Sequence, residues 1–214
     1  SSQSLGCGEF LDLMPLADWL AATGGSVLQL LPVNDTRVYG TWWDSYPYCT
    51  LSAFALHPLY LRVQALAGFE VAVGARGAEE VERLRAALDA LAEVDYERAV
   101  RAKLGVARKV FDHRVGARGG RGLESEPGLA QFVETNSHWL KPYAAFVYLQ
   151  GLFGTSEHWR WGALSSPDAA TVERLTHPSC DHFPGIAFTY YLQHALHLQL
   201  SRASRHAASR GVVL

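Results

Sequence analysis

The sequence predicts an α/β fold with parallel strands, and two stretches of the chain carry that prediction. "GEFLDLMPLADWLAATGG" (8–25) has apolar residues at helical spacing and ends in Gly24-Gly25, a good helix stop. "SVLQLLPV" (26–33) follows at once and has the short, apolar pattern of a buried strand. A second buried strand is expected to start at "VVL" (212–214), after a long apolar helix and Gly211. Helix, tight turn and buried strand together indicate an α/β unit.

The middle of the chain is predicted to be mostly helical. Residues 51–68 are apolar and contain Pro58, so we expect an extended stretch and then a short helix near Leu61 to Ala67. Residues 77–114 predict two helices that break near Val94-Asp95. We interpret this Ala-rich pair, which says little about chemistry, as part of a helical insertion over about 70–135. The Gly-rich stretch 116–128 within it is predicted to be a loop, and a solvated linker explains it better than an anion site at Arg118 and Arg121.

Three further helices are predicted in the second half. The first spans 136–154, with Asn136 or Ser137 as its cap and Pro142 in its first turn, where proline is tolerated. A short helix is expected over 167–175. A long, strongly apolar helix is expected over 182–211, ending at Gly211.

Composition excludes several classes of protein. The chain has 214 residues, 49% of them hydrophobic and 19% charged, so it can form a core. Its net charge of −2 argues against nucleic acid as a general partner. It has no apolar run long enough to span a membrane and no secretory signal at its start. Three widely spaced cysteines indicate free thiols in a reducing compartment, and we expect a cytoplasmic protein.

Metal and nucleotide sites are not expected. His177, Cys180 and His182 are close in sequence, and His194 and His197 share a helix face, but neither spacing matches a zinc module. The phosphate-binding and nucleophile-elbow motifs are missing as well. We therefore expect neither a metal nor a cofactor.

The most distinctive stretch is "YGTWWDSYPYC" (39–49), the aromatic loop, which follows the first predicted strand directly. Loops at the carboxyl ends of parallel strands are where sites are built. Trp and Tyr stack on the apolar face of a sugar ring, and acidic and hydroxyl groups hold its edge. Each aromatic taken alone is more easily explained by packing, but the cluster as a whole favours sugar binding.

Two carboxylates flank this loop. Asp35, in "VNDT", is best explained as a turn residue that bonds its own backbone. Asp44 lies among the aromatics, where a bond to a ligand and a purely structural role are equally plausible. Nothing in the sequence places the two side chains opposite each other, as the acid pair of glycoside chemistry would require.

The stretch from "LGCGEFLDL" to "LHPLYLRVQAL" resembles the opening of the 4-α-glucanotransferase family, also called amylomaltase or disproportionating enzyme. Its bacterial members have "GDSPYQSFSAFAGNP" where this chain has "WDSYPYCTLSAFALHP", with one residue inserted and His57 in place of Asn. The residues of this stretch are more similar to those of the plant and algal cytosolic branch, which uses maltose. "WLKPYAAFVYL" and the last 27 residues extend the resemblance, which is weakest between about 70 and 135.

The resemblance implies a (β/α)8 barrel with inserted helical subdomains, of which this chain would form the first part, truncated at both ends. It implies retaining transfer of an α-1,4-glucan segment from maltose or a malto-oligosaccharide to an acceptor glucan. The three catalytic carboxylates of the family are expected beyond Leu214, so we predict that the 214 residues alone are inactive. The implied substrate-binding residues all lie in the aromatic loop and are Tyr48, Asp44, Ser45, Trp43 and Trp42.

Two alternatives stay open at this point. A non-catalytic glucan-binding module would use the same loop without the chemistry. A helical interaction protein would use the loop aromatics for packing only. The oligomeric state is not predicted.

Overall fold

A computed structural model describes residues 3–116 and 121–214. The predicted Gly-rich loop therefore lies partly outside the described residues. Within them the chain forms six α-helices, joined by short 3-10 turns and extended segments. They are α1 (Leu13–Ala22), α2 (Phe69–Asp89), α3 (Tyr96–Arg114), α4 (Leu129–Phe153), α5 (Ala169–Leu175) and α6 (Phe183–Ser209).

The two predicted strands do not form, which corrects the sequence prediction. Segment 26–33 is extended, yet in the described part of the chain it pairs only through isolated bridges. Val27 forms a parallel bridge with Val213, through bonds from Leu28 N to Val213 O (2.8 Å) and from Val213 N to Ser26 O (2.9 Å). Val27 is 68% and Val213 65% exposed, so neither side chain is buried. A ladder needs a row of partner groups, and the short terminal segment supplies only two bonds.

Six of the seven predicted helices form as α-helices, mostly with the predicted extent, and the short helix expected near Leu61 to Ala67 is a 3-10 turn over Val63–Ala65. The break between α2 and α3 falls at 90–95, and α6 ends before Gly211, whose φ of 73° is the left-handed conformation that favours glycine there. The predicted start of α4 is wrong. That helix begins at Leu129 after Gly128, so Asn136 is internal and bonds the Phe132 carbonyl, and Pro142 lies in the helix interior.

Helix α6 is the centre of the fold. It packs against α1, α3 and α4, and Gly185 allows the close approach of α4, because a Cβ there would lie 2.5 Å from the Tyr148 ring. Two buried glutamines of α6 supply hydrogen-bond partners to backbone groups of the extended segment 56–62. Gln193 exchanges hydrogen bonds of 2.8 and 2.9 Å with the Leu56 backbone, and Gln199 does the same with Arg62 at 2.9 Å. Side-chain amides thus replace strand partners for this segment.

Helix α3 belongs to the same core. Its side chain Lys103 is fully buried and bonds Glu9 Oε1 at 2.7 Å, and the Leu59 carbonyl also accepts from it. Arg62 Nε bonds the other Glu9 oxygen at 2.7 Å. Helix α3, on which α2 packs, is therefore connected to the first residues of the fold through the buried Lys103–Glu9 pair. In the part of the chain that the structure describes, no helix is both long and apolar enough to cross a membrane.

Candidate functional site

The aromatic loop lies on the surface with its rings outward. Residues Trp42–Ser45 form one 3-10 turn, and Trp42 and Trp43 stack with ring centroids 4.2 Å apart and planes inclined by 21°. Tyr46 and Tyr48 meet edge to face at 5.3 Å. More than half of each of these four side chains is exposed. Packing therefore does not account for the rings, and an exposed apolar patch of this kind marks an interaction site.

The loop, together with Thr36 and Val38 just before it, lines a pocket of about 950 Å³. Four of the five residues for which the sequence analysis predicted substrate binding line this pocket, namely Trp42, Trp43, Asp44 and Ser45. Tyr48 is not among the lining residues, and it reaches the pocket wall only through its contact with the Tyr46 ring. A largely apolar pocket of this size fits two or more sugar rings better than a single small ion.

Asp44 faces inward, although its neighbours face out. It is 3% exposed, and its carboxylate accepts from the backbone N–H groups of Tyr39 (3.0 Å) and Gly40 (2.6 Å). Both contacts are within its own loop, to residues four and five positions earlier in the chain. Asp44 therefore holds the loop together, and its carboxylate is already engaged by backbone amides.

Asp35 is fully buried behind the loop. It forms a bidentate pair with Arg37, with both bonds at 2.9 Å, and it accepts from the Tyr143 hydroxyl at 2.5 Å. Burial would raise the pKa of Asp35, but the Arg37 charge and its hydrogen bonds hold that pKa below its ordinary value. Asp35 also accepts from the Arg37 backbone N–H at 3.2 Å, which confirms the turn contact expected from "VNDT". It is a buried ion-pair residue as well, which the sequence did not predict.

Four residues outside the loop lie behind it or bond to it. His57 Nε2 lies 2.6 Å from the Tyr96 hydroxyl, the Thr36 hydroxyl donates to the Asp44 carbonyl, and the Trp42 N–H donates to Glu97 Oε1 at 3.2 Å. The sequence analysis did not find these contacts. The two residues of α3 involved, Tyr96 and Glu97, lie far from the loop in the sequence (Trp42 and Glu97 are 55 positions apart), and no motif around them indicates the connection.

A metal centre finds no support in the described residues, where no group of three or more His, Cys, Asp or Glu side chains could hold an ion. His182 bonds the Tyr148 hydroxyl at 2.7 Å and His177 bonds the Ser179 hydroxyl at 2.7 Å. His194 is buried and packs on Phe132. These histidines serve packing and local hydrogen bonding.

The loop is thus a rigidly backed, outward-facing stacking surface beside an open pocket. Trp42 and Trp43 supply flat apolar faces, and the Ser45 side chain on the pocket wall supplies a hydroxyl. Asp44 carries the only carboxylate among the described residues that line the pocket. A single carboxylate that is already bound to backbone amides cannot be both nucleophile and acid. The geometry is that of an exposed aromatic stacking surface next to a pocket whose wall carries the Ser45 hydroxyl.

Comparison with known proteins gives the family. The model of the 4-alpha-glucanotransferase family matches residues 1–214, so the chain belongs to that family. It is 44% identical to 4-alpha-glucanotransferase DPE2 of Oryza sativa subsp. japonica over 219 residues. It is 30% identical to the 4-alpha-glucanotransferase of Chlamydia muridarum and 32% identical to that of Mycobacterium tuberculosis. The predicted family is confirmed.

The matches cover this whole chain but only part of each relative. The chain spans 22% of the rice protein, 38% of the Chlamydia protein and 29% of the Mycobacterium protein. The family implies a barrel-type enzyme, whereas the described residues are mostly helical and form no barrel.

Proposed function

We propose that this chain supplies the substrate-binding loop of a 4-α-glucanotransferase. The enzyme transfers α-1,4-glucosyl or glucan units, with retention, from maltose or malto-oligosaccharides to an acceptor glucan. The observation that carries the proposal is the exposed pair Trp42–Trp43 on the wall of a 950 Å³ pocket, in a chain that belongs to this family. Sugar rings stack on such a surface through their apolar faces.

We place the glucan on the two tryptophans, with Ser45 available to its hydroxyls. Tyr48 is 60% exposed at the end of the same loop, where it extends the stacking surface beyond the pocket. Asp44 contributes by keeping the loop closed through its bonds to Tyr39 and Gly40. The described part of the chain thus accounts for binding and not for bond cleavage.

The catalytic carboxylates belong, on this proposal, to residues outside the 214, and the isolated chain has no transferase activity. On the same proposal, segments 26–33 and 212–214, which do not form strands in the described structure, would pair as barrel strands in the full-length enzyme; the isolated parallel bridge between Val27 and Val213 supports that assignment. The protein is cytosolic, a location that suits its three free cysteines.

The binding part is tested by titrating maltoheptaose into the full-length protein and its variants. Trp43→Ala and Trp42→Ala should each weaken binding about tenfold, because stacking on one aromatic ring contributes about 1–1.5 kcal/mol. Trp19→Ala is the matched control. Trp19 is equally exposed at 62%, lies on α1 and does not line the pocket, so its affinity should not change. Equal affinities for all three variants would refute the site.

The catalytic part is tested by glucose release from maltose in the presence of glycogen. The full-length protein should release glucose and the isolated 214 residues should not. Binding without any transfer by the full-length protein would instead support a glucan-binding module.

A further inference from the structure

Helix α4 holds the chain segment that leads into the aromatic loop. Near the end of this helix, Gln150 Nε2 donates to the carbonyl of Arg37 at 2.8 Å and to the carbonyl of Val38 at 3.1 Å. Among the hydrogen bonds of the described residues, the Gln150 amide is the only donor to either carbonyl. The loop starts at the next residue, Tyr39. A single side chain therefore fixes the last two carbonyls before the loop.

The same helix holds this segment at a second point. The Tyr143 hydroxyl donates to the Asp35 carboxylate at 2.5 Å, and Tyr143 lies about two helical turns before Gln150, on the same face of α4. The Asp35 N–H donates to the Ala55 carbonyl at 2.9 Å, and the Asp35 carbonyl accepts from the Leu51 N–H at 2.7 Å. These two backbone bonds close the base of the loop. Helix α4 thus holds the base through Tyr143 and the entry to the loop through Gln150.

The backbone that Gln150 holds forms part of the pocket wall. Val38 lines the 950 Å³ pocket together with the stacked tryptophans, whereas Gln150 does not line it. Helix α4 gives this contact a firm support, since it packs against α6 and Leu149, next to Gln150, is only 1% exposed. A carbonyl that loses its donor in a half-buried position is not fully compensated by water. Loss of the Gln150 amide should therefore loosen the loop entry.

We propose that Gln150 is a positioning residue for glucan binding: its amide holds the two carbonyls before the aromatic loop and so keeps the stacked tryptophans in place for the sugar. The inference rests on the proposed function of that loop. A protein that holds its binding conformation for only a fraction of the time binds with an affinity reduced by that fraction. The contribution of Gln150 should therefore appear in affinity and not in the chemical step.

The test is Gln150→Leu in the full-length protein. This change removes both hydrogen bonds with little change of volume, and Leu and Gln have similar helix propensities, so α4 itself should not change. The dissociation constant for maltoheptaose and the KM for maltose should each rise about three- to tenfold, with kcat within about twofold. That split is expected when binding common to ground state and transition state is lost.

A rescue variant and a local measurement distinguish positioning from a general effect. Gln150→Lys returns a hydrogen-bond donor of similar reach, and its dissociation constant should lie within about twofold of the wild type. Hydrogen exchange of the peptide that covers the loop should be faster in Gln150→Leu. The Tyr39 and Gly40 amides, which bond Asp44 in the intact loop, would then open more often.

The matched control is Gln199→Leu in α6. The Gln199 amide also bonds backbone groups of an extended segment, since it exchanges two hydrogen bonds of 2.9 Å with Arg62. It does not line the 950 Å³ pocket. Gln199→Leu should lower the unfolding free energy, while its affinity for maltoheptaose and the exchange of its loop amides should stay at the wild-type values.

The outcomes distinguish this proposal from the one on which it rests. If Gln150→Leu binds maltoheptaose like the wild type while Trp43→Ala does not, Gln150 is not a positioning residue and the site stands. If Gln199→Leu weakens binding as much as Gln150→Leu, or if Gln150→Lys restores nothing, the proposal is wrong. If Trp43→Ala also binds normally, the site itself fails. Should Gln150→Leu not fold, Gln150→Glu decides by the same measurements, because an ionised carboxylate keeps the shape and cannot donate.

Discussion

Lys103 offers the sharpest test of how the fold is held together. Its side chain is fully buried, and its ammonium group bonds Glu9 Oε1 at 2.7 Å, approaches Cys7 Sγ at 3.6 Å and donates to the Leu59 carbonyl. Lys103→Met keeps most of the apolar stem and removes the charge. The buried Glu9 carboxylate then loses one of its two cationic partners, and Leu59 loses a donor.

The expected loss can be worked out from these contacts. Removing one member of a buried ion pair costs about 3–5 kcal/mol when the other charge is left uncompensated. Here the Glu9 carboxylate keeps its bonds to Arg62 at 2.7 Å and to the Leu5 N–H at 2.9 Å, so its charge remains partly compensated. We therefore expect the lower end, about 3 kcal/mol of unfolding free energy.

Urea unfolding followed by circular dichroism measures this loss. With a slope of about 1–3 kcal/mol per molar urea, the midpoint should fall by about 1–3 M at an unchanged slope. The matched control is Lys109→Met, on the exposed side of the same helix, which should stay within about 0.5 kcal/mol of wild type. A loss below about 1 kcal/mol for Lys103→Met would refute the argument that this ion pair is a buried structural link.

Three further predictions follow from buried polar groups. His57 is neutral in the folded state because burial lowers its pKa to about 4, whereas the unfolded chain titrates near 6.5. The stability that depends on a neutral His57 should therefore fall by about 3 kcal/mol as the pH drops from about 6.5 to 4. Thermal melts should show this loss for the wild type and not for His57→Asn. The same pH dependence for both proteins would mean that the ring titrates normally. Burial raises the pKa of the Cys7 thiol, so at pH 8 a disulfide reagent should modify the exposed Cys49 at least tenfold faster, and equal rates would contradict the burial of Cys7. Asp44→Asn should lower the unfolding free energy by about 2 kcal/mol, since the carboxylate accepts from two loop amides; an unchanged melting temperature would count against its structural role.

Local pattern predicted the helices because a helix forms its bonds between near neighbours. The spacing of apolar residues and the final Gly211 placed α6 within two residues at each end. The predicted start of α4 was seven residues too late because the prediction relied on a side-chain cap that this helix does not have. The helix begins after Gly128, which supplies no side-chain cap, while the polar Asn136 that looks like a cap bonds within the helix.

The strand predictions failed because pairing is not local. "SVLQLLPV" has the composition of a buried strand, but a strand exists only where another segment offers its backbone groups. Val213 offers two bonds to this segment, and Val27 stays exposed. Composition alone cannot supply the partner.

The sequence by itself determined the family, the helical skeleton and the aromatic surface, since each depends on residue type and short spacing. It could not determine which way Asp44 faces or that Asp35 pairs with Arg37 in the interior. It also gave no sign that Tyr96 lies beside His57, 39 positions earlier in the chain. Those facts depend on how distant segments pack around α6. Only the tertiary structure brings them within hydrogen-bonding distance, and burial then makes each partner indispensable.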